Sequence, residues 1–441
     1  MDFKQMQVKA KKKIKRGEEK LHKIYDLRNV EQTVDLIMGI DGGSTQNRVV
    51  ILDSSIVPTE PYIIPSPCVK LEDDREVIPN TEDLADRLDS FIVGENPSKT
   101  VYVGKERVLR GTKMINTGIA ATSLTSSVLK IDEPMFYINI IDAIGYALCQ
   151  HYNDRIPTKV NLVAGVALPP EDMKFSRQKK KFLDNIIGRY TWTHKDSGVK
   201  IAINIMDVEL ATEPEAFIKA YYAANNLEMP ELVACINTGG RSIGAELMFN
   251  GERMAPASKA FSYGGNQFLR DLATNCGNSE KNLGEPSVAR LEDAVLTGKL
   301  KVGNSSIDIV DEIKLTCQQY GQKLMDDTIK EVIDVAGKKL IDLNELLFCG
   351  GLARGGEYEI SVADFYGDLL EGKSPQTDYI VVEDNLIPLG LTFMAFNKNA
   401  DLILPAEDDE DEVQGEIVAT QEVEDEFEGL DGDTPLNFDQ E

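Results

Sequence analysis

The stretch Leu36-Ile-Met-Gly-Ile-Asp-Gly-Gly-Ser-Thr45 is an apolar run that ends in a carboxylate, two glycines and two hydroxyls. About 200 residues later, Leu232-Val-Ala-Cys-Ile-Asn-Thr-Gly-Gly-Arg-Ser242 repeats the design. Each reads as a buried strand running into a turn where glycine brings bare N–H groups close to an anion. A third copy, Leu346-Leu-Phe-Cys-Gly-Gly-Leu-Ala353, is again strand then paired glycine. Any one such loop is better explained by an ordinary turn, but three in order point to a phosphate clamp assembled from separate parts of the chain. Asp41, at the end of its strand, is placed to hold a hydrated Mg²⁺, a cation that prefers oxygen ligands and keeps several waters.

The surrounding pattern is that of a mixed α/β protein. Arg48–Asp53 predicts a second strand, antiparallel to the first through the Gly42–Asn47 turn. A hairpin is expected from Phe91–Val93 and Val101–Lys105, beyond a charged insertion from Leu71 to Asp89. Its connecting turn, Gly94–Thr100, superficially suggests a Walker loop. It lacks the glycine before the lysine and is followed by a strand, so that reading is rejected. Pro134–Tyr152 has helical spacing, Lys159–Leu168 reads as a buried strand ending in Pro169-Pro170, and a basic helix is expected around Arg177–Arg189. Tyr190–His194 and Val199–Ile205 form a hairpin about Lys195–Gly198. Glu213-Pro-Glu opens a helix, since proline suits the first turn. Gly264-Gly265 opens another. A largely helical region is expected from Val288 to Leu340, and a last helix from about Pro388 to Lys398.

Composition narrows the class. The chain has 441 residues, 42% of them hydrophobic, enough for two or three domains with a substantial core. No apolar stretch reaches the roughly 18 residues that span a bilayer, and no secretory pattern opens the sequence, so a soluble, cytoplasmic protein with no membrane partner is expected. The six cysteines are far apart and form no Cys-x-x-Cys, which favours buried free thiols over disulfides or zinc. The three histidines, 22, 151 and 194, leave little for a histidine metal site. The net charge of −27 is uneven. From Glu407 to Glu441 there are 16 acidic residues and no Lys or Arg, a composition expected to stay disordered. Met1–Arg28 carries ten basic against four acidic residues. It reads either as a basic arm for an acidic surface or as a solvated helical extension. Attraction between this arm and the tail of another copy is expected from their opposite charges, an effect that salt would screen.

Asp-Gly-Gly-Ser-Thr between two strands, a helix at Glu213, a second clamp at Asn237–Ser242 and a late Gly350-Gly351 together resemble the actin and heat-shock ATPase superfamily over residues 36 to 398. Gly39–Asn47, the Val-Ala-Leu-Pro-Pro strand end and the Trp192 hairpin are most similar to bacterial plasmid-segregation actins of the ParM type. The resemblance implies an α/β actin-like ATPase fold, with two similar domains, each a mixed sheet flanked by helices, around a nucleotide cleft. It places a basic extension at 1–35, domain I at 36–227 with a smaller subdomain at about 56–130, domain II at 228–385 and an acidic tail at 401–441. A helix at about 386–400 returns to domain I.

By the same resemblance the ligand is ATP, with GTP as an alternative, together with Mg²⁺ held by Asp41 through water. Gly42, Gly43, Ser44 and Thr45 would grip the phosphates from one side. Gly239, Gly240, Arg241 and Ser242 would grip them from the other, although an arginine there can equally point into solvent. Gly264, Gly265, Gly350 and Gly351 would face the nucleoside. Asp41, Glu213 and Asn237 would be catalytic, Glu213 orienting the attacking water, with Glu215 as the competing carboxylate. The family usually has Asp where this chain has Asn237, which removes one negative charge from the metal side. The implied function is a filament-forming ATPase for plasmid partition. Its partners would be further copies of itself and a ParR-like DNA-binding adaptor, with no direct DNA binding required. A small-molecule kinase or a chaperone-type ATPase of the same superfamily are the alternatives. The first lacks an evident second-substrate base, and the second lacks a β-domain after the ATPase part.

Overall fold

The computed structural model describes residues 34–43, 46–55, 57–66, 68–71, 88–111, 130–281, 283–383 and 385–403. The basic arm, the acidic tail, Ser44, Thr45 and most of the charged insertion lie outside the described residues. In chain order the strands are β1 Leu36–Gly42, β2 Gln46–Leu52, β3 Tyr62–Pro65, β4 Cys68–Leu71, β5 Leu88–Gly94, β6 Lys105–Arg110, β7 Lys159–Leu168, β8 Gly188–His194 and β9 Lys200–Thr212. They continue with β10 Leu232–Thr238, β11 Ile243–Phe249, β12 Glu252–Phe261, β13 Lys299–Val302, β14 Ser305–Asp308, β15 Glu345–Gly350 and β16 Asp378–Val382. The helices are α1 Pro134–Tyr152, α2 Ser176–Ile186, α3 Glu213–Asn225, α4 Gly265–Gly277, α5 Val288–Thr297, α6 Val310–Leu324, α7 Lys330–Val335, α8 Val362–Lys373 and α9 Ile387–Ile403.

Two mixed sheets carry the fold. The first runs β3-β2-β1-β7-β9-β8-β5-β6-β4 and the second β12-β11-β10-β15-β16. The echo seen in the sequence is an echo in topology. β1 pairs antiparallel with β2 and parallel with β7; β10 pairs antiparallel with β11 and parallel with β15. Asp41 and Asn237 therefore occupy the same penultimate position of equivalent strands. All seven residues of β1 and of β10 are buried, as continuous apolar runs in the middle of a sheet require.

Helices α3 and α9 fill the space between the sheets. Their Ala216, Phe217, Tyr222, Ile387 and Leu391 form one cluster with Ala167 and Ala211 of the first sheet and Val233, Cys235 and Leu347 of the second. Close approach is possible because Gly39 has no side chain: a Cβ there would sit 1.9 Å from Pro388 O of α9. No helix among the described residues is long and apolar enough to cross a membrane. All six cysteines are free, and five of them are buried.

Several local expectations need correction. The arm facing β5 is Lys105–Arg110, in register Val93↔Lys105, and Val101–Gly104 is not strand. Val101 N is taken by the Asn185 side chain at 2.7 Å, which pulls the segment out of the ladder. The region 288–340 is interrupted by the β13–β14 hairpin, turning at Gly303 with φ +60°. Its glycine-asparagine turn between short alternating stretches is a hairpin signal that helical spacing on both sides obscured. The final helix starts at Ile387 and continues to Ile403 with a break at Asn399.

Candidate functional site

The site lies where the carboxyl ends of β1 and β10 face each other across α3. Thr212 ends β9 and caps α3: its Oγ1 accepts from Glu215 N at 3.2 Å and donates to Glu246 Oε2 at 2.8 Å. That cap sets Glu213 in the first turn of α3, aimed at the end of β10. Asn237 Nδ2 donates to Glu213 Oε2 at 2.8 Å, while Asn237 Oδ1 receives the Cys349 thiol at 3.6 Å. Glu215 instead pairs with Lys219 at 3.1 Å, one turn along the same helix. Of the two carboxylates left open by the sequence, Glu213 is the one joined to the second glycine loop.

Asp41 is buried, 5% exposed, and accepts from Asn385 Nδ2 at 2.9 Å. Arg48 Nη1 stands 3.8 Å from its Oδ2. Burial, and then the charge of Glu213, push the Asp41 carboxyl up to about 6. The arrangement places the buried Asp41 carboxyl near a second carboxylate, Glu213, and so favours a cation that could share them.

The glycine turns interlock. Gly265 N donates to Gly239 O at 2.9 Å and Asn266 N to Gly240 O at 2.7 Å, so the start of α4 sits directly on the second loop. A Cβ on Gly264 would lie 2.4 Å from Gly239 O, which leaves room for glycine alone. Gly350, at φ +94°, and Gly351 close against Thr238, whose backbone O accepts from Gly351 N at 2.8 Å. Gly239, Gly240, Gly264, Gly265, Gly350 and Gly351 are thus one continuous surface, and Gly42 and Gly43 belong to the opposite hairpin. Arg241 is half-buried with Nη1 enclosed and without a hydrogen-bond partner. Burial lowers its proton affinity and the charge of Glu133 partly restores it. An enclosed, unsatisfied guanidinium nitrogen beside a glycine loop suits an oxyanion.

Two residues were not singled out from the sequence. Asn385 accepts from Ile387 N at 3.0 Å, starting α9, and holds Asp41 with its other end. Its place two residues before an Ile-Pro helix start is a capping signal. Lys130 Nζ lies 3.5 Å from Gly42 O and 3.6 Å from Glu213 Oε1, and no sequence pattern marks it. The rejected Walker lysine, Lys99, is held elsewhere. Its Nζ donates to Asn185 O, Ile187 O and Tyr190 OH at 2.9, 2.6 and 2.7 Å, at the end of α2.

No protein-family model and no curated protein sequence matches the chain. Solved structures do match in fold. A crystal structure of apo pSK41 ParM is similar over 84% of this chain and 99% of its own, with TM-score 0.56 and 14% identity. The actin-like protein Alp7A gives TM-score 0.57 at 15% identity, covering 88% of this chain and 98% of its own. The archaeal actin homologue Ta0583 gives 0.56 at 13% identity, covering 82% and 99%. The Bacillus thuringiensis ParM solved with ATP gives 0.53 at 14%, covering 84% and 98%. With two mixed sheets, α3 and α9 between them and interlocked glycine turns at the strand ends, this chain has the actin-like fold and, within it, resembles the ParM-type proteins.

Proposed function

We propose that the chain binds ATP with Mg²⁺ in this cleft, hydrolyses it, and polymerises into nucleotide-dependent filaments that segregate plasmid DNA through a DNA-binding adaptor. The observation that carries the reading is the joining of Glu213 to Asn237 at 2.8 Å between two equivalent strand ends, with Asp41 buried alongside. The residues fit both groups: enclosed Arg241 Nη1 suits phosphate, and the buried Asp41 carboxyl, its proton affinity raised by burial and by Glu213, suits a cation. Magnesium, when bound, would neutralise phosphate charge and polarise the bond to the leaving oxygen.

The chain's own residues supply position and field. Backbone N–H groups of Gly42–Gly43 and Gly240–Ser242 grip phosphate oxygens from two sides, Ser44 and Thr45 adding hydroxyls, while Gly239 N donates to Ser242 O at 3.0 Å and closes the second loop. Asp41 would hold the metal through water. Gly264-Gly265 at the start of α4 and Gly350-Gly351 admit the nucleoside. Glu213, held by Asn237, accepts a hydrogen bond from the attacking water and lines it up with the terminal phosphorus, so chemistry comes from orientation and charge with no covalent enzyme intermediate. The solved ATP complex of a ParM with this fold supports the choice of nucleotide. Magnesium-dependent ATP binding and phosphate release by the purified chain test the reading. Binding of neither ATP nor GTP would overturn it.

A further inference from the structure

Lys130 belongs to none of the glycine loops, yet its ammonium stands between them. Its backbone is fixed: Lys130 N donates to Asp172 Oδ2 at 3.2 Å, Asp172 is 1% exposed, and a single 3₁₀ turn, Lys130–Asp132, joins it to α1. Its side chain is only loosely held. The distances of 3.5 Å to Gly42 O and 3.6 Å to Glu213 Oε1 exceed the roughly 2.7–2.9 Å of a close charge-assisted bond. Nζ also lies 5.5 Å from the centre of the Phe136 ring. The Lys130 side chain is 20% exposed.

We infer that Lys130 is the ligand of the terminal phosphate and the residue by which the site distinguishes triphosphate from diphosphate; this rests on the nucleotide reading above. A carboxylate that orients the attacking water must sit beside the terminal phosphorus, and Lys130 is the cation beside that carboxylate. In this structure its charge is shared by Glu213 and Gly42 O. A terminal phosphate carries more charge than one carboxylate and offers several acceptor oxygens, so it draws the ammonium the short distance from Glu213. Glu213 is then left free to accept from water. With diphosphate there is no terminal group to compete, and Lys130 returns to Glu213. Arg241, on the second glycine loop, has no hydrogen-bond partner at Nη1 to be drawn from, so the discrimination is assigned to Lys130.

The test is equilibrium binding of ADP and of a non-hydrolysable ATP analogue to the full chain by calorimetry, below the concentration at which it polymerises, for wild type, Lys130→Met and Lys130→Arg. Lys130→Met is expected to weaken the triphosphate analogue about tenfold or more and ADP less than about threefold, with Lys130→Arg recovering most of the loss. An unchanged thermal midpoint without nucleotide confirms that the fold persists; if Lys130→Met does not fold, Lys130→Gln carries the same expectation. Equal loss for both nucleotides, or no loss for either, overturns the inference while leaving the nucleotide reading intact. Wild type binding neither nucleotide overturns both.

Discussion

Asn237 donates its side-chain amide to Glu213 at 2.8 Å, so the second strand-end polar group serves as a hydrogen-bond donor to a carboxylate rather than as a second anion. An aspartate at 237 would face Glu213 as a like charge with Asp41 close by. The amide leaves the site with one fewer buried charge to neutralise.

Asn237→Asp is therefore expected to act in two directions. Without metal or nucleotide it should lower stability by about 1–3 kcal/mol through uncompensated charge, read as a drop in thermal midpoint. With saturating Mg²⁺ it should release phosphate faster and depend more steeply on the metal, because the cation gains an anionic partner. A rate unchanged or lower contradicts the assignment of Asn237 to the metal side.

Glu213→Gln keeps an acceptor for Asn237 and the shape of the first turn of α3 while removing the charge that orients water. Hydrolysis should fall by about 10²–10⁴-fold with ATP affinity altered only a few-fold. Glu215→Gln, which breaks only the pair with Lys219, should leave the rate within about threefold because that pair is a helical i,i+4 contact. Reversal of the two results would move the catalytic role to Glu215.

Protonation gives an independent test. Burial pushes Asp41 up to about 6, and Asp172 and Glu246 to about 7. Each of these carboxyls binds its proton more tightly in the folded protein than in the unfolded chain, where such groups titrate near ~4. Stability should accordingly rise as pH falls from 8 toward 5, Asp41 alone contributing about 1 kcal/mol by pH 5 and roughly 3 kcal/mol only once pH falls below its unfolded value of about 4. Nucleotide binding with Mg²⁺ needs the Asp41 anion and should weaken over the same interval. Asp41→Asn should raise the metal-free thermal midpoint at neutral pH and abolish the benefit of Mg²⁺. A midpoint that climbs with pH through 6–8 would contradict the buried-charge account.

What the sequence disclosed was whatever repeats or is periodic. β1, β10 and β15 announced themselves as apolar runs ending in paired small residues, and Pro134–Tyr152 and Lys159–Leu168 were readable to the residue from spacing and flanking prolines. The start of α3 at Glu213 was legible from the proline that follows it, whereas the role given to Glu213 came only with the resemblance. Lys130 and Asn385 were not, since each reaches the site from a distant part of the chain through one side chain. Asn385 meets Asp41 across 344 positions. The shifted start of β6 likewise depends on a long-range bond from Asn185 that local patterning does not encode.

Lys99 offers the converse case, a lysine in a loop of phosphate-like composition whose role is to hold the end of α2. Lys99→Met should lose about 1–3 kcal/mol of stability by leaving three acceptors unpaired, with no change in nucleotide affinity. Denaturant unfolding and a nucleotide titration on the same variant separate the two.

The most direct measurement is negative-stain electron microscopy of the full chain with Mg²⁺ and ATP, a non-hydrolysable ATP analogue, GTP or ADP. The account predicts filaments with triphosphate that persist when hydrolysis is blocked by the analogue or by Glu213→Gln, and that shorten or vanish with ADP. Absence of polymer under every nucleotide would contradict it.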